Sequence, residues 1–260
     1  MPRVLPTALF AALLGVALLS LPAAARSLDA IKASGTLAVC ANPNALPFAS
    51  RKGPRHGFQL DLAAALAQRL GVGLTPEWVI SRYDMFRAPC DIVMESIADA
   101  EVQSRSGIEL SKPYRRSGVM LAVRPGDHTR SLDDLARGHK TVGVLVSSLA
   151  AMMLNQRGIE TAPDIFEDDL LDMMEKHEVD VAAVTAASVG YYNLRHPKAK
   201  LRVIDVFESD PDLSWNVAVG MRKPDPALRQ AIDEAMAQLM ADGTVKRVYA
   251  RYGVAVLPPR

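Results

Sequence analysis

The residues that could carry chemistry in this sequence are few and scattered. Two cysteines, Cys40 and Cys90, lie about 50 residues apart, and the five histidines are spread along the chain. Neither cysteine belongs to a C-x-x-C pair and no group of histidines joins them, so the spacing does not suit a metal site. The sequence also lacks a phosphate-binding glycine loop and the G-x-S-x-G and H-E-x-x-H motifs. These absences disfavour an enzyme, and we expect no metal centre and no cofactor.

The first 25 residues indicate the compartment of the protein, which decides whether the two cysteines are oxidised. Arg3 precedes an apolar run over about residues 8–19, and residues 23–25 are the small-residue sequence Ala-Ala-Ala. This order is typical of a secretory signal peptide. A membrane anchor is the alternative, but the run is shorter than the roughly 18–20 residues that a span needs, and Pro22 interrupts it. We predict export to the periplasm with cleavage near Ala25 and no stable membrane insertion.

In an oxidising compartment the two cysteines are expected to pair. Cys40 ends the apolar run 36–40 and Cys90 opens the run 90–94, so each lies at the edge of a predicted strand. If these strands are neighbours, a disulfide closes a loop of about 50 residues, which stabilises the fold by about 4 kcal/mol in the chain-entropy model.

The composition is that of an ordinary globular protein. Of the 260 residues, 49% are hydrophobic and 23% are charged, and 30 Lys and Arg nearly balance 29 Asp and Glu. Loss of the signal peptide takes Arg3 with it and leaves the exported chain close to neutral. This balance argues against intrinsic disorder and against a broad nucleic-acid-binding surface. Enzymes, binding proteins and regulators all remain open.

Short apolar runs alternate with helical patterns, first over residues 36–123. Apolar positions three and four apart predict a helix over 58–70 that ends at Gly71, and the run 90–94 predicts a strand. Another strand over 118–123 leads to a Pro-Gly turn, which marks a boundary.

The same alternation starts again beyond this turn. The predicted helices are 131–137, 149–157, 167–176 and 187–194, and the predicted strands are 141–146, 179–184 and 201–204. Two terminal helices follow, one starting at Pro226 and ending before Gly243, the other over 244–251. This order predicts a second α/β lobe with a largely parallel sheet.

A strand at 216–221 mirrors the strand at 118–123. We therefore predict a discontinuous first lobe, 26–121 plus 218–260, with a second lobe, 122–217, inserted between its parts. Two crossover strands between lobes make a hinge and a cleft.

Several segments, each weak alone, together resemble the periplasmic solute-binding proteins of family 3, which bind amino acids. The similarity spans nearly the whole mature chain and is carried by the segments 45–48, 57–61, 90–93, 110–114, 131–135, 142–144 and 241–253. The resemblance implies the type II periplasmic-binding-protein fold. That fold is a two-lobed α/β clamp with two mostly parallel sheets flanked by helices, and it binds without catalysis.

The departures from this family concern the ligand. In its amino-acid binders an arginine grips the ligand carboxylate and an aspartate holds the ammonium. This sequence has Ser104 at the first position and Thr185 at the second. Arg105 could take the arginine's place after a one-residue slip and contact an anion; the alternative is that it faces solvent. A zwitterion without both partners would lose several kcal/mol to desolvation, so a standard amino acid is disfavoured.

The resemblance also places a set of side chains on the walls of the cleft. These residues are Phe48, Ser96, Tyr114, Ser147, Ser148 and Thr185. For Phe48 the alternative is packing in the core. Ser147 and Ser148 open a helix where the family binds a carboxylate through backbone N–H groups, and the alternative is a plain N-cap.

A narrower resemblance is carried by the segments 40–48, 90–94 and 113–117. They are similar to the solute-binding-like proteins of the MoxJ/XoxJ type, which are encoded beside PQQ-dependent alcohol dehydrogenases. This implies an accessory role in making or activating a periplasmic PQQ-dependent methanol (alcohol) dehydrogenase. The sequence departs from that type at 95–97, and its stretch 79–89 is short, which predicts a helix trimmed from one cleft wall.

Two other functions remain open at this point. One is a ligand-binding subunit that delivers a small solute, not a standard amino acid, to an ABC permease. The remote alternative is a dehydratase-like enzyme on the same fold, for which Glu95, Asp99 and Glu101 are the candidate acids or bases.

Overall fold

The computed structural model describes residues 25–99, 107–207 and 212–260. The predicted signal peptide before Ala25, and also Ser104, Arg105 and Glu101, lie outside the described residues. Within the described parts, no helix is long and apolar enough to cross a membrane.

Strands and helices alternate along the described chain. The strands are β1 (Thr36–Ala41), β2 (Asn44–Ala45), β3 (Ala49–Ser50), β4 (Gly73–Trp78), β5 (Ile92–Ile97), β6 (Ile108–Leu110), β7 (Arg115–Val123), β8 (Val142–Leu145), β9 (Thr161–Asp164), β10 (Val181–Thr185), β11 (Arg202–Ile204) and β12 (Ser214–Arg222). The helices are α1 (Leu28–Ser34), α2 (Phe58–Leu70), α3 (Arg82–Arg87), α4 (Leu132–Arg137), α5 (Leu149–Gln156), α6 (Glu167–Glu175), α7 (Ala186–Arg195), α8 (Pro226–Ala241) and α9 (Thr244–Ala250).

The helix ends follow from local capping. Gly71 ends α2 in the left-handed conformation, which costs glycine little because it has no Cβ. Ser131 and Asp134 form a capping box before α4, and the Asp225 side chain accepts from Leu228 N–H at the start of α8. All the predicted helices are present, with their ends within one residue of the prediction.

Ten strands form one sheet, in which eight follow the order β4-β1-β5-β12-β7-β10-β8-β9, β11 pairs with β7 and β6 pairs with β12. Strands β1, β4 and β5 run parallel, and so do β8, β9 and β10. The long strands β7 and β12 are antiparallel to each other and pass between these two groups. The α/β class, the parallel groups and the crossover strands are as predicted. The predicted two sheets are joined into one path because the crossover strands pair with each other.

We call the group around β1, β4 and β5 the first lobe and the group around β8, β9 and β10 the second lobe. The first lobe's core packs α2, α8 and α9 against its strands, with Phe58 fully buried. Alternate residues of β10, such as Ala183 and Val184, enter separate apolar clusters on the two faces of the second lobe's strands. The exact boundaries, 26–121 with 218–260 and 122–217, remain our proposal.

Helix α7 of the second lobe also packs into the first. Tyr191 is buried in the first lobe's core, with its ring centroid 6.2 Å from that of Tyr252. Gly190 lies so close to Gly253 that a Cβ at position 190 would overlap the carbonyl oxygen of Gly253. The two lobes therefore touch directly at this helix, as well as through the crossover strands.

Candidate functional site

The predicted disulfide joins Cys40 and Cys90, whose Cα atoms are 5.4 Å apart. Cys40 lies on β1 opposite Val93 of the neighbouring strand β5, and Cys90 lies two residues before the start of β5. Both cysteines are buried in a small apolar cluster that Met85 of α3 helps to cover. The predicted disulfide is present and β1 and β5 are neighbours, but β5 begins two residues after Cys90 rather than at it. The stretch 79–89, for which we predicted a shortened helix, contains helix α3, which is six residues long.

A cavity of about 640 Å³ lies between the two lobes. Its first-lobe wall belongs to the segment 42–50 after β1, and its second-lobe wall to the segment 165–169 after β9, with Ser188 of α7 beside it. The carboxyl ends of β1 and β9 therefore face the same space. This is the edge at which parallel α/β sheets bind ligands.

Phe48 lines the first-lobe wall of this cavity. Its half-buried ring also packs against Phe58, with the ring centroids 4.9 Å apart. Gly57 has a φ of 94° and passes so close that a Cβ there would overlap the Phe48 carbonyl oxygen. Both predicted roles of Phe48, cleft wall and core contact, are thus compatible with its position.

Thr185 caps α7 and lies behind the second-lobe wall, bonded to two residues that line the cavity, Glu167 and Ser188. Its hydroxyl oxygen accepts from Ser188 N–H at 3.3 Å. The Glu167 carboxylate bonds the same residue: Oε1 accepts from Thr185 N–H at 3.0 Å, and Oε2 from Thr185 Oγ1 at 2.8 Å. A carboxyl group, that of Glu167 at the start of another helix, therefore lies directly beside the uncharged residue 185.

Burial raises the pKa of the Glu167 carboxyl, although hydrogen bonds from Ser188 and Thr185 act in the opposite direction. Sequence reasoning missed this residue. Its only signal is a run of three acids at the start of a helix, 167–169, and helical spacing alone does not show which of them turns towards the cleft.

Tyr114 was predicted for the first-lobe wall, but it does not line this cavity. It is 1% exposed, and its hydroxyl donates to Glu95 Oε1 at 2.6 Å. The same carboxylate forms an ion pair with Arg115 and accepts from the Tyr249 hydroxyl. Tyr114 points inward because its hydroxyl has a charged acceptor there, which satisfies a buried donor.

Ser96 lies on β5, also away from the cavity. Its hydroxyl donates to the Val93 carbonyl oxygen at 3.2 Å and lies directly against Gly220 of β12. Its contacts in this conformation are those of a strand-pairing residue.

Ser147 and Ser148 line a second cavity, of about 600 Å³, together with Val146 and Met152. Ser148 Oγ accepts from Ala151 N–H at 3.1 Å, so this serine is the N-cap of α5. Neither serine reaches the cavity that Phe48 lines. The carboxylate contact proposed for this helix start stays a prediction.

The electrostatics of the interlobe cavity are one-sided. Within the described parts of the chain, its lining holds the acids Glu167, Asp168 and Asp169 and no Lys, Arg or His. Asp168 is paired with Arg195 at 2.6 Å. Such a lining attracts a positive group and repels an anion.

Of the three candidate acids, the two that fall among the described residues do not line this cavity. Glu95, one of the three candidate acids, is held in its ion pair with Arg115, and Asp99 is not part of the lining. No group of three or more His, Cys, Asp or Glu side chains in these parts could hold a metal ion. What the site can do is enclose and neutralise a ligand or a side chain.

Two α/β lobes, joined by two crossover strands with a cavity between them, define a binding protein of the clamp type. The family model for bacterial extracellular solute-binding proteins, family 3, matches residues 37–255, and the chain belongs to this family.

Relatives of this chain include one protein of about twice the matched length and one of similar length. It is 25% identical over 246 residues to the membrane-bound lytic murein transglycosylase F of Desulfosudis oleivorans, covering 89% of this chain but only 51%, about half, of that protein. It is 26% identical over 226 residues to the histidine-binding periplasmic protein of Escherichia coli K12, covering 81% of this chain and 85% of that protein.

Solved structures share the fold. An ancestral cationic amino acid solute-binding protein superposes with a TM-score of 0.72 at 24% identity, over 87% of this chain and 99% of its own. XoxJ from Methylobacterium extorquens AM1 gives 0.67 at 20% identity, over 85% of this chain and 99% of its own. MxaJ from Methlophaga aminisulfidivorans gives 0.69 at 17% identity, over 85% of this chain and 100% of its own.

Proposed function

We propose that this protein is a non-enzymatic periplasmic accessory factor of a PQQ-dependent methanol (alcohol) dehydrogenase. In this proposal the mouth of the interlobe cleft is the docking surface. The observation that carries it is the distribution of exposed apolar side chains.

Seven of the ten large hydrophobic residues exposed on the described chain lie at the carboxyl ends of strands β4, β5, β8 and β9 or on the loop or helix that follows one of these strands. They are Ile80, Tyr83, Ile97, Val146, Met152, Ile165 and Phe166. We call these seven residues the apolar rim. The other three are Leu194, Val203 and Met240.

The apolar rim includes side chains on both lobes. Ile80 of the first lobe is 79% exposed, and Ile165 and Phe166 of the second are 68% and 61% exposed. Monomeric proteins seldom concentrate exposed apolar side chains in this way, and such patches mark protein interaction sites. A rim of this kind supports a protein partner, because a small solute enclosed between the lobes would reach only Ile165 and Phe166 and would leave the other five side chains in water.

The dehydrogenase is proposed as that partner for two reasons. The sequence resembles dehydrogenase-associated proteins in the contexts of both cysteines, and Cys40 and Cys90 do form a disulfide. XoxJ and MxaJ also share the fold, as do binding proteins for amino acids.

Native mass spectrometry of the protein taken gently from its own periplasm tests the proposal. We expect a complex whose partner is identified as a quinoprotein dehydrogenase by its peptide masses and its PQQ absorbance. The variant Ile165→Ser/Phe166→Ser should lose this complex. Leu194→Ser/Val203→Ser, which removes exposed apolar side chains outside the rim, should keep it. Equal complex formation by both variants would overturn the docking surface.

A second candidate function is the ligand-binding subunit of an ABC importer. It is favoured by the cavity of about 640 Å³, to which both lobes contribute walls. A tightly bound solute would be seen as a small stoichiometric mass increment without a protein partner, and as saturable thermal stabilisation. The same mass spectrum therefore separates the two candidates.

A further inference from the structure

The segment 254–260 follows the last helix and runs from the first lobe's core to the crossover strands. We call this segment the strap. Its first residue, Val254, is buried in the first lobe's core, and its N–H donates to the carbonyl oxygen of the buried Tyr249 at 3.1 Å. Val256 packs against the same core. The strap is therefore anchored in the first lobe at one end.

The hinge is the stretch in which the two crossover strands pair with each other. Strand β7 pairs with β12 over residues 115–118 and 214–217. On the second-lobe side β7 continues into pairing with β10 and β11, and on the first-lobe side β12 continues into pairing with β5 and β6. A change in the angle between the lobes is therefore expected to alter the backbone of this stretch.

The other end of the strap is hydrogen-bonded to both strands of the hinge. The Arg116 N–H of β7 donates to the Leu257 carbonyl oxygen at 2.9 Å, in an antiparallel bridge. The Asn216 side chain of β12 holds the backbone of Arg260: its Oδ1 accepts from the Arg260 N–H at 3.0 Å, and its Nδ2 donates to the Arg260 carbonyl oxygen at 3.3 Å. Arg116 and Asn216 are also opposite each other in the pairing of the two strands. The strap thus joins the first lobe's core to both strands at one point of the hinge.

Family membership does not imply these contacts. The family model matches residues 37–255, whereas the strap's bonds to the hinge come from Leu257 and Arg260. The contacts are therefore read from the structure of this chain alone.

We propose that the strap restrains the hinge and so limits how far the two lobes turn against each other. A turn of the second lobe moves β7 and β12 at Arg116 and Asn216, while the buried end of the strap stays with the first lobe. Such a turn has to stretch or break the three hydrogen bonds between strap and hinge. Release of the strap therefore widens the range of angles between the lobes. This inference concerns the hinge and does not depend on the proposed docking function.

Distances between spin labels on the two lobes, measured by pulsed electron paramagnetic resonance on the mature protein, test the inference. The labels are attached at Lys52→Cys and Asp169→Cys, because Lys52 is exposed on the first lobe and Asp169 is exposed on the second-lobe wall of the cleft. Cys40 and Cys90 are not labelled, since they form the disulfide.

Two variants release the strap in this experiment: deletion of residues 256–260, and Asn216→Ala in the complete mature chain. In both we expect a broader distribution of label distances. The population outside the wild-type range should rise about fivefold or more, which is the effect of losing one net hydrogen bond. Asn155→Ala removes an exposed side-chain bond to Thr161 in the second lobe and is the matched control, with no expected change.

Urea denaturation of the same variants separates a restraint on the hinge from a merely structural role. A strap that only stabilised the first lobe would lower the free energy of unfolding and leave the distances in the folded protein unchanged, and this result would overturn the inference. Should the deletion fail to fold, Asn216→Ala decides alone, because it keeps the buried Val254 and the whole strap. Failure here leaves the docking proposal intact, since that is judged by Ile165→Ser/Phe166→Ser.

Discussion

Glu95 in the first lobe and Glu167 in the second are carboxylates withdrawn from water in different ways. Glu95 receives the hydroxyls of Tyr114 and Tyr249 and is paired with Arg115, and the two charged side chains are only 7% and 4% exposed. Glu167 receives neutral donors and faces a cavity.

The difference distinguishes a carboxylate that is neutralised within the fold, Glu95, from one that faces a cavity, Glu167. Burial raises the pKa of both tyrosine hydroxyls at Glu95, so they stay protonated and continue to donate. Burial also raises the pKa of Glu167, so ionising this carboxyl is less favourable in the folded chain than in the unfolded one. Glu95 therefore belongs to a closed network inside the first lobe, whereas Glu167 faces a cavity and is less easily ionised in the folded chain.

The largest effect is expected from breaking the first-lobe pair. Arg115→Met leaves Glu95 charged and buried without its counter-charge, which should lower the free energy of unfolding by about 3–5 kcal/mol. Urea denaturation measures this loss. The double variant Glu95→Gln/Arg115→Met should recover most of it, because no uncompensated charge remains. A single variant as stable as the wild type would mean that the pair is not structural.

The disulfide is a second constraint that belongs to the first lobe alone. Replacing both cysteines by alanine should lower the free energy of unfolding by about 4 kcal/mol, since it opens a loop of about 50 residues. Hydrogen exchange should show the loss of protection in β1 and β5 and much less in β8 and β10. Wild-type protein treated with a reductant provides the control. An equal loss in both lobes would show that they unfold as one unit.

A smaller, pH-dependent effect is expected in the second lobe, at Asp127. Burial alone would raise the pKa of this carboxyl, but hydrogen bonds from Lys140 and Thr129 outweigh burial and lower the pKa to about 2. A depressed pKa stabilises the fold above the unfolded value of about 3.9, and this stabilisation is lost as the pH falls towards 2.

Asp127→Asn should therefore lower the free energy of unfolding by about 1 kcal/mol at pH 6 and leave it nearly unchanged near pH 2. The effect is modest because solvent screens part of the ion pair. Thermal unfolding at the two pH values measures the difference. The same substitution at the exposed Asp133 serves as control and should change little at either pH. A penalty at Asp127 that persists in acid would refute the assignment.

The smallest effect on stability is expected at Glu167 itself. A raised pKa means that its contribution to stability is present below the unfolded value of about 4.3 and is lost as the pH rises through the folded value. Glu167→Gln should therefore unfold at the wild-type midpoint or slightly above it at pH 7, within about 1 kcal/mol. A large destabilisation would show that Glu167 is a structural residue like Glu95 and would contradict the difference proposed between them.

Much of the fold could be predicted because its signals are local. Helix α2 is recognisable from apolar spacing and Gly71, and α8 from Asp225 and Pro226. Strands β4 and β9 escaped prediction because each contains a proline, Pro76 or Pro163, which argues against a strand. They lie at the two ends of the sheet path, where an edge strand tolerates the missing N–H.

The candidate site was predictable only in part. Phe48 lines the interlobe cavity and Thr185 is hydrogen-bonded to the lining residue Glu167, whereas Tyr114 turns into the core to meet Glu95. Glu167 was missed because it is 18 residues before Thr185 in the chain and belongs to another helix.

The sequence by itself determined the alternation of strands and helices, the order of the lobes and the strands that carry the two cysteines. These features depend on spacing and capping within a few residues, which a chain displays before it folds. Only the tertiary structure decided which side chains share the cavity, which carboxylate is neutralised and where α7 meets the first lobe. Those outcomes depend on the sheet order and on how the crossover strands set the two lobes against each other, and so on contacts between residues far apart in the chain.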